Sequence, residues 1–281
     1  QQMICLLLTV GKDEEVPFMQ LVGSLLWLLK TRPDIGIYCS ILTRYMNRFD
    51  KLVFKYALCV LKYLAGTRDF GIVYDESSSP VEVYGKGVTL EFEVDSEFGG
   101  RVDDSKSTTG WIVRANNSVV YSGCQVQKRV ATSTTEAESN GLELVSKEAQ
   151  WYRDFCNELH IEVNYAFPVL QDNKGALTLT DDPKNRPRTK YFRISQHFIR
   201  SQRMLGKLQF LHRQGTLLAC DMLTKPLFFP AFQGHRASLL GNQDVPKKKD
   251  AGKEFSSDYT GDGPARTKRV SRFTPLQIRK K

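Results

Sequence analysis

The chain has 281 residues, 41% of them apolar and 25% charged, enough for one sizeable folded unit and a smaller one. Its formal charge of +9 is uneven, because residues 246–281 hold eleven Lys/Arg against four Asp/Glu, a net of +7 that leaves +2 for everything before them. Six widely spaced cysteines with no CxxC pair argue against a disulfide scaffold and for buried free thiols in a reducing compartment, and four scattered histidines give no zinc spacing.

Taken in order, residues 1–10 read as a short strand or a helix end. The first residue is not Met, so a targeting signal upstream would be invisible. Pro17 opens a helix over Phe18 to Lys30, apolar on more than one face and so buried against neighbours. Its run from Leu21 to Leu29 is closed by Lys30 and Arg32 too early to cross a bilayer, which argues against membrane insertion. Pro33 disfavours helix in the residue before it and breaks the chain there. Helices follow from about Ile35 to Met46 and from about Lys51 to Leu64. The second of these is expected to bury Leu52, Tyr56, Cys59, Val60 and Tyr63 and to stop at Gly66. Residues 1–69 would then be a helical subdomain.

From Phe70 the pattern changes. Phe70 to Tyr74 reads as a short strand, and Val88 to Val94 as a longer one running into Asp95. Gly110 to Val113 and Ser118 to Ser122 form a hairpin around Ala115-Asn116-Asn117. Phe167 to Leu170 is an apolar strand ending at Gln171-Asp172, followed by a short helix from Lys174 to Leu179. Residues 181–190 are a Pro-broken basic loop. A helix from Phe192 to Leu205, a strand from Lys207 to His212 and the start of a last helix over Leu217 to Leu223, stopped by Pro226, complete the order. Strands and helices so arranged predict an α/β fold with a mixed sheet over residues 70–242. Beyond that, residues 243–281 have the composition of a basic segment that does not fold alone.

The long helix between these strands carries the chemistry. Ser133 is a hydroxyl cap, Glu136 suits the positive end of a helix, and Leu142, Val145, Ala149, Tyr152, Cys156 and Leu159 return every three or four residues as one buried face. Glu138 lies on that face, one turn before Leu142. A charge aimed at a core needs a partner, a metal or a raised pKa. Asp95, Asp172 and Asp221 are the acids that would meet it if the two strands are adjacent. Four carboxylates so gathered repel unless divalent cations neutralise them, and an oxygen-only site suits Mg²⁺ or Mn²⁺. The plainer alternative stays open at this point: strand-end acids facing water, and Asp221 capping a helix.

Seven segments, in order, resemble the last region of Ty1/copia retrotransposon polyproteins. They are LVGSLLWLLKTRPDIG (21–36), LKYLAGTRDFGIVYD (61–75), DSEFGGRVDDSKSTTGWI (95–112), TSTTEAE (132–138), QDNKGAL (171–177), TKYFRISQHFIR (189–200) and ACDMLTKPL (219–227). The resemblance implies a reverse transcriptase thumb and connection followed by a ribonuclease H-like domain with a mixed five-stranded sheet flanked by helices. It implies that Asp95, Glu138, Asp172 and Asp221 are both catalytic and metal-binding, with two ions cutting the RNA strand of an RNA–DNA hybrid. No Tyr-x-Asp-Asp hairpin exists here, so the polymerase palm is missing. The family usually has Asp at Glu97, Trp at Phe98, an aromatic and Ala at Ser139 and Gly141, Leu-Ala at Ala219-Cys220, and His and Asp at Tyr191 and Arg193.

A basic run formed by Lys184, Arg186, Arg188, Lys190, Arg193, Arg200, Arg203, Lys207 and Arg213 is the expected phosphate-neutralising surface, with a solvated helix face as its alternative. In the tail, Lys247, Lys248, Lys249, Arg266, Lys268 and Arg269 are the matching contacts. A tail ordered along its length would call for a partner surface. Together with the missing palm and the altered residues beside the ligands, that gives a second expectation: a domesticated, non-catalytic RNA-binding component of a large ribonucleoprotein, such as a mitochondrial ribosome, with other proteins as partners and no cofactor. Localisation would be mitochondrial in that case, nuclear or cytoplasmic otherwise.

Overall fold

A computed structural model describes residues 17–74, 88–100, 104–163, 165–181 and 193–241, all within one compact unit, Gln1–Val245. Three helices come first: α1 (Phe18–Leu28), α2 (Gly36–Thr43), entered through a 3-10 turn at Pro33–Ile35, and α3 (Lys51–Gly66). Asp50 caps α3, its Oδ1 accepting from the Val53 amide at 2.8 Å. The buried side of α3 is Ala57, Val60, Leu61 and Leu64, packed with Phe18, Leu21, Val22 and Leu25 of α1. That face is turned from the one the spacing suggested: Leu52 and Cys59 are exposed. The helix is apolar on two sides, and the stripe at i, i+3, i+4 and i+7 from Ala57 meets α1.

Five strands follow, β1 (Leu90–Glu97), β2 (Thr108–Ala115), β3 (Ser118–Val126), β4 (Phe167–Gln171) and β5 (Leu208–His212), in the order β3-β2-β1-β4-β5. The first three form an antiparallel meander, and β1, β4 and β5 run parallel. This is the mixed five-stranded sheet that the resemblance implied. Asn116 and Asn117 both take positive φ at the β2–β3 turn, the backbone a two-residue hairpin needs and Asn tolerates.

Helix α4 (Thr134–Glu158) begins where its cap predicts, Ser133 Oγ accepting from the Glu136 amide at 3.2 Å. It covers one sheet face, with Leu142, Val145 and Ala149 against Phe92, Val94, Phe167 and Val169. Its apolar stripe ends early, since Leu159 is 53% exposed past the last turn. Close contact at the site end needs a small residue: a Cβ on Gly141 would stand 2.7 Å from Ser96 Oγ and 3.1 Å from Val94. Helices α5 (Lys174–Asp181) and α6 (Arg193–Met204) flank residues 182–192 in the sequence.

The other face is covered by Leu218 to Leu223, by α7 (Asp221–Thr224) and by α8 (Phe229–Leu240). Helix α8 was not expected from the sequence, although Pro230 in its first turn and Gly241 at its left-handed end are ordinary helix boundaries. Residues 71–74 form no strand; the Val73 amide instead donates to Leu240 O at 3.0 Å, tying this stretch to the end of α8. Tyr38 and Tyr63 pack edge-on against Phe232 with centroids 6.4 and 5.8 Å away. Arg32 pairs with buried Asp34, Tyr63 donates to Asp34 Oδ2 at 2.5 Å, and Arg236 Nη1 donates to Tyr63 Oη at 3.1 Å. The helices thus share a buried polar link with α8.

Candidate metal and active site

Side chains alternate along β1. Phe92 and Val94 face α4, while Glu93 and Asp95 face the segment around α7. Glu93 is neutralised in place. Its Oε1 accepts from Arg114 Nε at 2.8 Å, its Oε2 from the Ala219 amide at 2.9 Å, and Arg114 also donates to Ser238 O at 3.1 Å. This buried pair pins the Leu218–Leu223 segment and α8 onto the sheet beside the site.

Asp95 has no such arginine. Its Oδ2 accepts from Thr224 Oγ1 at 2.7 Å, which fastens α7 to β1. It sits within strand β1 rather than past its end, and remains only 7% exposed. The parallel pairing Phe92↔Val169 and Glu93↔Leu170 carries the residues that follow in the two strands, Asp95 and Asp172, toward the same sheet end. Glu138 reaches them from the first turns of α4. Its Oε2 accepts from Gln171 Nε2 at 3.0 Å, and the nearby Ser96 backbone favours its charged form. Asp95, Glu138 and Asp172 each bring a carboxylate oxygen within 4.8 Å of the other two.

The electrostatics follow from that crowding. Burial pushes the Glu138 carboxyl up to about 9, and the charges of Asp95 and Asp172 add to it; the Gln171 bond and the Ser96 backbone offset only part. Burial likewise raises Asp95 to about 6 against the Thr224 bond, with Asp221 and Asp172 contributing repulsion and Lys225 relieving some of it. Asp221, the first residue of α7, is not in the close group. Its Oδ1 lies 2.5 Å from Lys225 Nζ, one turn on, and Glu97 is raised by burial in the same neighbourhood.

A divalent cation fits this arrangement. The donors are hard carboxylate oxygens, and Gln171 Oε1 is buried with no hydrogen-bond partner among the described residues. Two neighbours set the carboxylates at close quarters. A Cβ on Gly215 would stand 2.7 Å from Asp172 Oδ2, so the turn after β5 closes onto that acid. Gly110, paired with Asp95 across the sheet, leaves room for α7, where a Cβ would meet Leu223 Cβ at 2.8 Å and Cys220 O at 2.9 Å. Sequence reasoning missed Thr224, Gln171, Gly215 and Lys225; Gln171, Thr224 and Lys225 lie in the acid-bearing segments, and nothing local marks Gly215.

Of the basic run, Lys184, Arg186, Arg188 and Lys190, and the side chain of Arg193, lie outside the described residues, as do Lys247, Lys248, Lys249, Arg266, Lys268 and Arg269. The tail that partly motivated the ribonucleoprotein expectation lies outside with them. The described members bond within the fold. Arg200 donates to Leu179 O at 2.9 Å, Arg203 pairs with Asp181, Lys207 donates to Gln150 Oε1 at 3.1 Å, and Arg213 reaches Glu91 at 3.4 Å. No helix among the described residues is long and apolar enough to cross a membrane.

No protein-family model matches the chain. It is 34% identical over 230 residues to the retrovirus-related Pol polyprotein from transposon RE2 of Arabidopsis thaliana, covering 80% of this chain. Against the corresponding polyprotein from transposon TNT 1-94 of Nicotiana tabacum it is 30% identical over 216 residues, or 76% of the chain. The chain spans only 15% and 16% of those two polyproteins. Among solved structures, LC11-RNase H1 in complex with an RNA/DNA hybrid aligns with 48% of this chain and 94% of its own, at 14% identity and a TM-score of 0.37.

Proposed function

The homologues of this chain are the Pol polyproteins of copia-type transposons, and we propose that its sheet-containing part is a ribonuclease H that hydrolyses the RNA strand of an RNA–DNA hybrid. The observation that carries this reading is the meeting of Asp95, Glu138 and Asp172 within 4.8 Å, with Glu138 held buried against two like charges. A fold gains nothing from such a group by itself, since burying unpaired carboxylates costs stability. Two Mg²⁺ or Mn²⁺ ions bound here, held by Asp95, Glu138 and Asp172 with Asp221 at the margin, would supply charge neutralisation at the scissile phosphate and an acidified water.

The remaining work belongs to the chain. Gln171 fixes the Glu138 carboxylate, Thr224 fixes Asp95, and the backbone at Gly215 confines Asp172. Ligands fixed in this way need little rearrangement when substrate arrives, which is how a site of this type lowers its barrier. In the hybrid the 2′-hydroxyl is the group that distinguishes the strand to be cut. The products would carry 5′-phosphate and 3′-hydroxyl ends.

The test is cleavage of a labelled RNA–DNA hybrid in Mg²⁺ by the purified chain beside Glu138→Gln. Cutting by the parent that falls at least about a hundredfold in the variant supports the reading. Equal, negligible cutting by both would remove the enzyme.

A further inference from the structure

The acids of the site differ in what faces them. The strongest charges acting on Glu138 are other carboxylates, Asp95 and Asp172. Asp221 instead meets a cation from its own helix: Lys225 Nζ stands 2.5 Å from Asp221 Oδ1. Lys225 ends α7 in extended backbone, φ −146° and ψ 153°, and is followed by Pro226, which limits how the chain leaves the turn. The residue before it, Thr224, is bonded to Asp95 at 2.7 Å, so this turn is fixed to the site by one residue and neutralised by the next. Asp95 and Glu97 also feel the Lys225 charge. The lysine side chain is 41% exposed and has open solvent to move into.

We propose that Lys225 is a resident counter-ion for the Asp95–Asp221 side of the site, which a divalent cation must displace in order to bind there. The Asp95, Glu138 and Asp172 group takes its cation against weaker competition, since Lys225 pairs directly with Asp221 and acts on Asp95 only through its charge. The inference rests on the hydrolase reading given above and deepens it. An ammonium and a divalent ion want the same carboxylate oxygens, and the tethered ammonium is always present at high local concentration. The two cation-binding events are therefore unequal. The group around Glu138 fills first, and the second ion binds only as Lys225 swings into solvent. Lys225 is a positioning residue here, acting through the occupancy of Asp221.

Calorimetric titration of the full chain with Mn²⁺ alone, without nucleic acid, tests this independently of turnover. The parent should show one resolved binding event and a much weaker second one, and Glu138→Gln should lose the first. In Lys225→Met the second event should tighten about tenfold and approach the first, as expected for removing one competing charge at a half-buried carboxylate. Lys225→Arg keeps the cation and should behave as the parent. A Lys225→Met isotherm that matches the parent, while Glu138→Gln still loses its site, overturns the inference and spares the hydrolase reading. Absence of any Mn²⁺ binding in the parent overturns both. An unchanged thermal melt in metal-free buffer shows that Lys225→Met remains folded; the residue is exposed enough for that to be expected.

Discussion

Glu138→Gln changes one carboxyl to an amide of the same shape, and the geometry around it makes the consequence for stability calculable. In the folded chain this carboxyl is pushed from 4.5 up to about 9 by burial and by Asp95 and Asp172. At neutral pH the unfolded chain therefore releases a proton that the folded chain keeps. Holding it costs about 1.4 kcal/mol per unit, or roughly 3 kcal/mol at pH 7 for this group. Because the folded value is the higher one, the cost is absent below the unfolded value near 4.5 and grows as pH rises towards about 9. The amide pays none of it, and its carbonyl still accepts from Gln171 Nε2. In EDTA, Glu138→Gln should be more stable than the parent by about 1–3 kcal/mol at pH 7, with the gap shrinking as pH falls to about 5. Millimolar Mg²⁺ should reverse the order, since a ligand that binds only the folded chain stabilises it by mass action. Urea unfolding followed by circular dichroism, across pH and with and without the ion, measures both effects. A variant less stable than the parent in EDTA, or a gap that does not move with pH, would refute the reasoning.

Two further substitutions probe the frame around the site. Gly215→Ala places a Cβ 2.7 Å from Asp172 Oδ2 and should weaken Mn²⁺ affinity at the Glu138 group about tenfold while costing under about 2 kcal/mol in the melt. Arg114→Met strands the buried Glu93 charge and should cost about 3–5 kcal/mol in urea unfolding, whereas the paired change Arg114→Met with Glu93→Leu should recover much of that loss.

Much of this was legible in the sequence wherever a local rule and the tertiary context agree. Ser133 caps α4 through a bond the motif predicts, and the period through Leu142, Val145 and Ala149 correctly sets Glu138 on the buried side. The Asn116-Asn117 turn and the strands on each side of it follow from turn chemistry, although β2 and β3 extend further than the apolar run because neighbouring strands bury polar Thr108 and Thr109. Where a segment offers two faces, the sequence could not choose. Helix α3 is apolar at both Tyr56-Cys59 and Ala57-Val60-Leu61, and only the position of α1 selects the second. Helix α8 was lost because its Phe, Gly and His content lacks a clean apolar stripe, and its stability comes from packing on Tyr38, Tyr63 and the sheet. At the site, the pattern names the acids but not what holds each one. Lys225 at Asp221 and Thr224 at Asp95 are local to one motif, yet their roles depend on which strand α7 lies against.

The link between the helices and α8 has a practical consequence for anyone cutting this protein into pieces. Phe232 takes its aromatic neighbours Tyr38 and Tyr63 from the helical part, and Arg236 lies over the Tyr63 ring while donating to its hydroxyl. A fragment begun after α3 would strip those rings away and bare an oily patch on the very helix that Arg114 and Ser238 clamp beside Glu93. The sheet-containing part and its helical preface are therefore best expressed as one piece.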